Sequence, residues 1–185
     1  MVIMTPEVAE SLSSLAEGLG LAATAPLPLM VLRQAPRAGA DPEGLRIQTV
    51  SEVAATRSVG DLISNAFGLP RAAVARVLEG TMGRSGGAEV YLAHLNDTPM
   101  SSVSITMSGE TAGIWSMATP KAFRGRGVGS ALLGKVIARL RSRGVKRLFL
   151  LASKDGRRLY ENMGFETLCE CQTWVLPMGE APAAL

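Results

Sequence analysis

Residues 119–130 read Thr119-Pro120-Lys121-Ala122-Phe123-Arg124-Gly125-Arg126-Gly127-Val128-Gly129-Ser130. The apolar run 114–118 comes just before this stretch. Behind it Val128, Leu132, Leu133, Val136, Ile137 and Leu140 recur at helical spacing. The glycines therefore fall on a turn from a strand into a helix. A helix start carries unpaired N–H groups and a partial positive charge, and glycine lets another group come close to the backbone. Arg124 and Arg126 add full charges, so the stretch reads as a diphosphate cradle.

The glycines match neither the dinucleotide fingerprint G-x-G-x-x-G nor a Walker loop, since no Gly-Lys-Ser/Thr follows. Taken alone they also fit an ordinary glycine-rich turn with arginines solvated at the surface. Two features narrow this: the order Arg124-x-x-Gly127-x-Gly129, and the segment Leu159-Tyr160-Glu161-Asn162-Met163-Gly164-Phe165. Together they resemble the GNAT superfamily of acetyl-CoA-dependent N-acetyltransferases, whose signature is Arg/Gln-x-x-Gly-x-Gly/Ala. The resemblance covers roughly residues 45–176, specific for the cofactor half and vague for the acceptor half. It implies an α/β fold in which a mixed, mostly antiparallel sheet carries a central splayed parallel strand pair and flanking helices. It also implies acetyl-CoA as cosubstrate, no metal, and direct acetyl transfer to a primary amine. The competing reading is a catalytically weak acyl-CoA-binding or regulatory module of the same fold.

A chain of 185 residues with 47% apolar residues suits one domain with a substantial core. It has no apolar run of transmembrane length and no basic-then-apolar leader, and Cys169 and Cys171 stand too close in sequence to staple a loop. One histidine and two cysteines make no zinc set. These points predict a reduced, cytoplasmic protein. The net charge of +3 is unevenly spread: the stretch 111–154 has no Asp or Glu but holds Lys121, Arg124, Arg126, Lys135, Arg139, Arg141, Arg143, Lys146, Arg147 and Lys154. Such a patch suits nucleic acid or a cofactor with several phosphates, and no nucleic-acid motif accompanies it.

Along the chain, 5–18 reads as a helix, with Pro6 and Glu7 in its first turn and Val8, Leu12 and Leu15 at helical spacing. A strand is expected at 27–32, restricted by Pro26 and Pro28 to a sheet edge or a strand start. Laying 14–32 on 158–176 pairs Leu15 with Leu159, Glu17 with Glu161, Gly20 with Gly164 and Val31 with Val175. The echo is either a chance likeness of two helix–glycine–strand units or the remnant of an upstream copy of the domain. Ala16 then stands where Tyr160 stands. The expected organisation is an extension at 1–40, an acetyltransferase domain at 45–177 and a loose tail at 178–185. The extra strand at 27–32 must find an edge in its own sheet or in a partner, a homodimer being one such arrangement.

A strand at 45–50 opens the domain. Helices follow from Ser51, with Glu52 in the first turn, to about Phe67, and from Arg71 to about Thr81; then comes a loop at 83–87. Strands at 89–95 and 100–108 form a hairpin around Asn96-Asp97, and the Ser102, Ser104 and Thr106 face is expected to be solvated or covered by a helix. Strand 114–119, helix 127–143 and strand 146–152 make a βαβ unit. A helix at 156–163 leads to two closing strands, 165–168 and 172–176.

The resemblance assigns the pantetheine arm to backbone near Met117, Ala118 and Thr119, and the diphosphate to Arg124, Gly125, Arg126, Gly127, Val128, Gly129 and Ser130. Ser153 and Arg157 fall beside the cofactor in the same layout. Tyr160 stands where similar proteins place the acid that protonates the departing thiolate; the alternative is a tyrosine packing beside the sheet. The sequence displays no general base: His94 is the sole histidine, with Glu89 and Glu110 as weaker candidates. Trp115 is either core or a wall of the acceptor pocket.

Overall fold

The computed structural model describes residues 1–36, 39–51, 53–82 and 88–177. Glu52, the expected loop 83–87 and the expected tail 178–185 lie outside the described residues. In chain order the elements are β1 (Val2–Met4), α1 (Pro6–Gly18), β2 (Ala22–Ala23), β3 (Leu27–Leu32), β4 (Leu45–Thr49), α2 (Val53–Phe67), α3 (Arg71–Met82), β5 (Glu89–Leu95), β6 (Thr98–Ser108), β7 (Thr111–Ala118), α4 (Val128–Ser142), β8 (Arg147–Leu151), α5 (Arg157–Asn162) and β9 (Glu166–Val175). A turn of 3-10 helix, Lys121–Phe123, lies between β7 and α4. Among the described residues no helix is long and apolar enough to cross a membrane.

The strands form one sheet in the order β1-β9-β3-β8-β7-β6-β5-β4, with β2 also along β9. Every pair is antiparallel except β7 with β8. The β5–β6 hairpin closes through Asn96 and Asp97, both at positive φ (49° and 61°), the geometry a two-residue turn needs to match strand twist.

Two cores fill the faces of the sheet, as the period of two along each strand requires. On one side α4 buries Val128, Leu132, Leu133, Val136, Ile137 and Leu140 against Tyr91, Val103, Ile105 and Leu150. On the other, Val59, Leu62, Ile63, Val74 and Leu78 of α2 and α3 pack on Val90 and Leu92. Ser102 and Ser104 are buried and α2 lies over β6, so that part of the face is helix-covered, while Thr106 is exposed; both expected surroundings occur along the one face.

The N-terminal segment corrects two expectations. β3 is not an edge strand: it pairs with β8 through Leu29–Leu32 registers and with β9 through Leu27 to Val31, and Met30 and Leu32 are sealed in the main core. Pro28 is tolerated because it lies at the strand start, where its carbonyl accepts the Ala152 N–H at 3.0 Å. The two closing strands are instead one, β9. Its register on β3 steps from Leu29↔Cys169 to Met30↔Thr167, and the additional residue, Leu168, is absorbed as an exposed bulge instead of a break. The echoed glycines do behave alike: Gly20 and Gly164 both stand at positive φ (76° and 94°) just beyond their helices. α1 buries Ala16 beside Met4 and Trp174, while Val8, Leu12 and Leu15 are 43, 40 and 58% exposed. The stripe that identifies the helix in the sequence is thus its outer face.

Candidate functional site

β7 and β8 pair in parallel from Thr111↔Arg147 to Ile114↔Leu150 and no further. Beyond that point β7 stays with β6 but through a bulge, its register stepping from Ser104↔Trp115 to Ser102↔Ala118, with Ser116 at φ 48°. β8 stays with β3, Leu29 opposite Leu151. Each member of the parallel pair is thus held on its outer side while the inner sides part. The opening is a cleft of about 760 Å³.

One end of the cleft is the start of α4. Gly127, at φ 74°, caps the helix without a side-chain bond, and Gly125 stands at φ 78° with nothing within 4 Å of where a Cβ would be. Ala131 N–H bonds back to Gly127 O at 3.0 Å, so the N–H groups of Val128, Gly129 and Ser130 have no acceptor within the helix. Ser130 Oγ donates to Gly127 O at 2.8 Å and does not cover that end. A Cβ on Gly129 would stand 3.1 Å from Thr119 Oγ1, which is why the helix can sit so close to the end of β7. Arg124 ties the two rims together: its Nε donates to Thr119 O at 3.0 Å and its guanidinium pairs with Asp155 at 2.9 Å, holding that carboxyl below its usual range.

The other wall is α5 and the turn before it. Ser153 Oγ accepts the Gly156 N–H at 3.2 Å. Tyr160 lines the cleft from α5, its ring edge-on to Phe165 at 5.8 Å and against Gly156, where a Cβ would be 3.0 Å from Cε2. Burial pushes its phenol up to about 12.

Of the residues expected at the site, Met117, Thr119, Arg124, Gly125, Arg126, Gly127, Val128, Gly129, Ser130, Ser153 and Tyr160 line this one cleft. Ala118 is fully buried with the α2–α3 core, so only its backbone can face the opening. Arg157 does not line the cleft; it pairs with Glu161 one helical turn on, at 2.8 Å. The candidate bases are elsewhere. Glu89 is gripped by both guanidinium nitrogens of Arg143 at 2.7 and 2.8 Å and accepts the Tyr91 hydroxyl at 2.6 Å; the Arg143 bonds hold its carboxyl low. Glu110 pairs with Lys146 at 2.6 Å. His94 is buried, burial and then Arg46 push its pKa down, and neither cavity includes it.

A smaller apolar cavity of about 370 Å³ lies between α2, α3 and the sheet, and shares Ile63, Leu69, Trp115 and Ser116 with the cleft. Trp115 is half-buried, its Nε1 donating to Thr106 Oγ1 at 2.8 Å, and so it is a wall of both cavities. Sequence reasoning missed this helical wall and also Asp155. The signal for Asp155 was present: it is the acid that ends the acid-free stretch 111–154.

In this mixed α/β protein the parting strand pair and the bare helix start together form a cleft with backbone N–H groups free to meet an anion. Residues 66–165 match the model of the Acetyltransferase (GNAT) family, and the chain belongs to that family. No curated protein matches it in sequence. Among solved structures it is similar to a GCN5-related N-acetyltransferase from Kribbella flavida (TM-score 0.71, 14% identity, covering 96% of this chain and 68% of that one). It is also similar to a GCN5-related N-acetyltransferase from Sphaerobacter thermophilus (0.68, 24%, 92% and 56%) and to a tandem GNAT protein from the clavulanic acid biosynthesis pathway (0.68, 18%, 94% and 61%). At these identities the likeness is one of fold, and the chain spans little more than half to about two thirds of those proteins.

Proposed function

We propose that this protein transfers an acetyl group directly from acetyl-CoA to a primary amine. One observation carries the reading: the splay after Ile114↔Leu150 opens between the bare N–H groups of α4 and the phenol of Tyr160. The family normally uses acetyl-CoA, and the residues present fit it. Gly125 leaves the backbone open where a diphosphate would meet N–H groups, and Arg126 lines the same wall. A pantetheine arm would find the β7 backbone near Met117, Ala118 and Thr119, whose β8 side is left without a strand partner.

In this reading the neutral amine attacks the thioester carbonyl carbon, the C–N bond forms and the C–S bond breaks. The thiolate takes the Tyr160 proton, the attacking nitrogen gives one proton to water, and water returns one to the phenolate. A phenol pushed up to about 12 is protonated at any pH near neutral, so Tyr160 is a loaded donor and not the base. Direct transfer is favoured because no thiol is among the described residues lining either cavity; Cys169 and Cys171 are free on β9. Free thiols also fit the cytoplasm as its compartment.

Residues 1–40 we read as an extension built like the closing helix and strand of the same domain, a reading that the paired behaviour of Gly20 and Gly164 supports.

The test is amine-dependent release of coenzyme A thiol from acetyl-CoA over a panel of amines, with product mass as the second readout. Tight acetyl-CoA binding without amine-dependent release would make the protein a binding module instead.

A further inference from the structure

We infer that the acceptor is a hydrophobic primary monoamine whose apolar body occupies the 370 Å³ cavity between α2, α3 and the sheet. The inference rests on the acetyl-transfer reading above for the chemistry and on the cavity for the substrate class. Ile63, Leu69, Val74, Leu78, Val90 and Trp115 supply most of the wall, and among the described lining residues none is charged. A polyamine, an aminoglycoside or a lysine-rich peptide would bring a second ammonium into this wall with no carboxylate among the described lining residues to meet it. Stripping that charge of water without pairing it is unfavourable, which selects against such acceptors.

The same wall answers the question of the base. Apolar surroundings disfavour an ammonium, so an amine entering the cavity gives its proton to water on the way in and arrives as the nucleophile. That removes the need for a side-chain base, and His94, Glu89 and Glu110 all lie outside the two cavities. The cavity adjoins the cleft along Ile63, Leu69, Trp115 and Ser116, so an amine whose body sits in it can have its nitrogen toward the splay on the Trp115–Ser116 side. A volume of 370 Å³ is near the lower end of small-molecule sites, about 300–1,000 Å³, and admits one ring or a short chain.

The experiment pairs turnover with direct binding. Phenethylamine and hexylamine are compared with spermidine and kanamycin in the thiol-release assay. Phenethylamine binding is followed separately by tryptophan emission, with Trp115→Phe identifying the responding residue. The expected result is a KM at least tenfold lower for phenethylamine than for spermidine, and a saturable emission change that Trp115→Phe abolishes. Ala73→Asp places a carboxylate, and Ala73→Phe a ring, at the half-buried α3 wall. Each should weaken phenethylamine at least tenfold while leaving acetyl-CoA binding intact. Turnover of spermidine or kanamycin with phenethylamine inert would overturn the inference. So would hexanoyl-CoA that outpaces acetyl-CoA and displaces bound phenethylamine, since the cavity would then hold the acyl chain. Saturable phenethylamine binding without thiol release from any amine would sink the transfer reading and leave the cavity assignment standing; no saturable binding sinks the assignment itself.

Discussion

Replacing Tyr160 by Phe separates chemistry from packing. The ring makes the structural contacts: it stands edge-on to Phe165 at 5.8 Å and fills the space beside Gly156, where a Cβ would be 3.0 Å from Cε2. Phe keeps all of this. The hydroxyl has no hydrogen-bond partner among the described residues, so its loss strands no donor or acceptor. Stability should therefore change by less than about 1 kcal/mol, a melting shift of no more than about 2–4 °C in a chain of this size. If the phenol protonates the thiolate, turnover should fall by roughly 10²-fold, about 2.7 kcal/mol in the barrier. With the phenol at about 12, the wild-type rate should show no alkaline decline attributable to Tyr160 up to about pH 10. Thiol release at saturating acetyl-CoA measures the first quantity and differential scanning calorimetry the second. A variant with wild-type turnover, or one whose turnover loss tracks a large drop in melting temperature, would refute the acid role.

Three further outcomes follow from the geometry. Gly125→Asp puts a carboxylate into open space at the bare helix start, at a left-handed position that Asp tolerates better than most; acetyl-CoA affinity should drop at least tenfold by calorimetric titration, with melting lowered by roughly 2–4 °C. Met30→Ala opens a cavity at a fully buried position of β3 and should cost about 2–5 kcal/mol by denaturant unfolding, whereas a segment merely resting on the domain would lose little. The Glu89 carboxyl is held below its unfolded value of 4.5 by Arg143, so its contribution is present above that pH and is lost as pH falls through the lower folded value. Glu89→Gln should lower stability by about 1 kcal/mol at pH 7, and the difference from wild type should vanish in acid melts.

Local chemistry made much of this legible. Gly125, Gly127 and Gly129 announce a tight strand-to-helix turn, Asn96-Asp97 a two-residue hairpin, and Leu132 to Leu140 the buried face of α4. What was not legible depends on long-range pairing. Nothing in Leu27–Leu32 says that its two neighbours are β8 and β9, and Pro28 allowed either an edge or a strand start, of which the start is found. Ser116 gives no sign of positive φ, since serine carries no such preference, yet the bulge there is what parts β7 from β8. Periodicity found α1 but not which side of it would be covered. Nothing in Ile63 or Leu69 marks them as the wall of a cavity, which depends on how α2 and α3 sit over the sheet.

The place of β3 fixes an order of events during synthesis. Leu29 leaves the ribosome long before Leu151 and Cys169, the residues it pairs with on either side. Until β8 and β9 emerge, the nascent chain carries an apolar strand with both edges unmet, the kind of segment that pairs with other chains. Closing the sheet thus waits on the end of the domain, and contacts of such wide separation in sequence form slowly. Protein made faster than chaperones can shield that strand should accumulate as insoluble material, and slower synthesis at lower temperature should recover it.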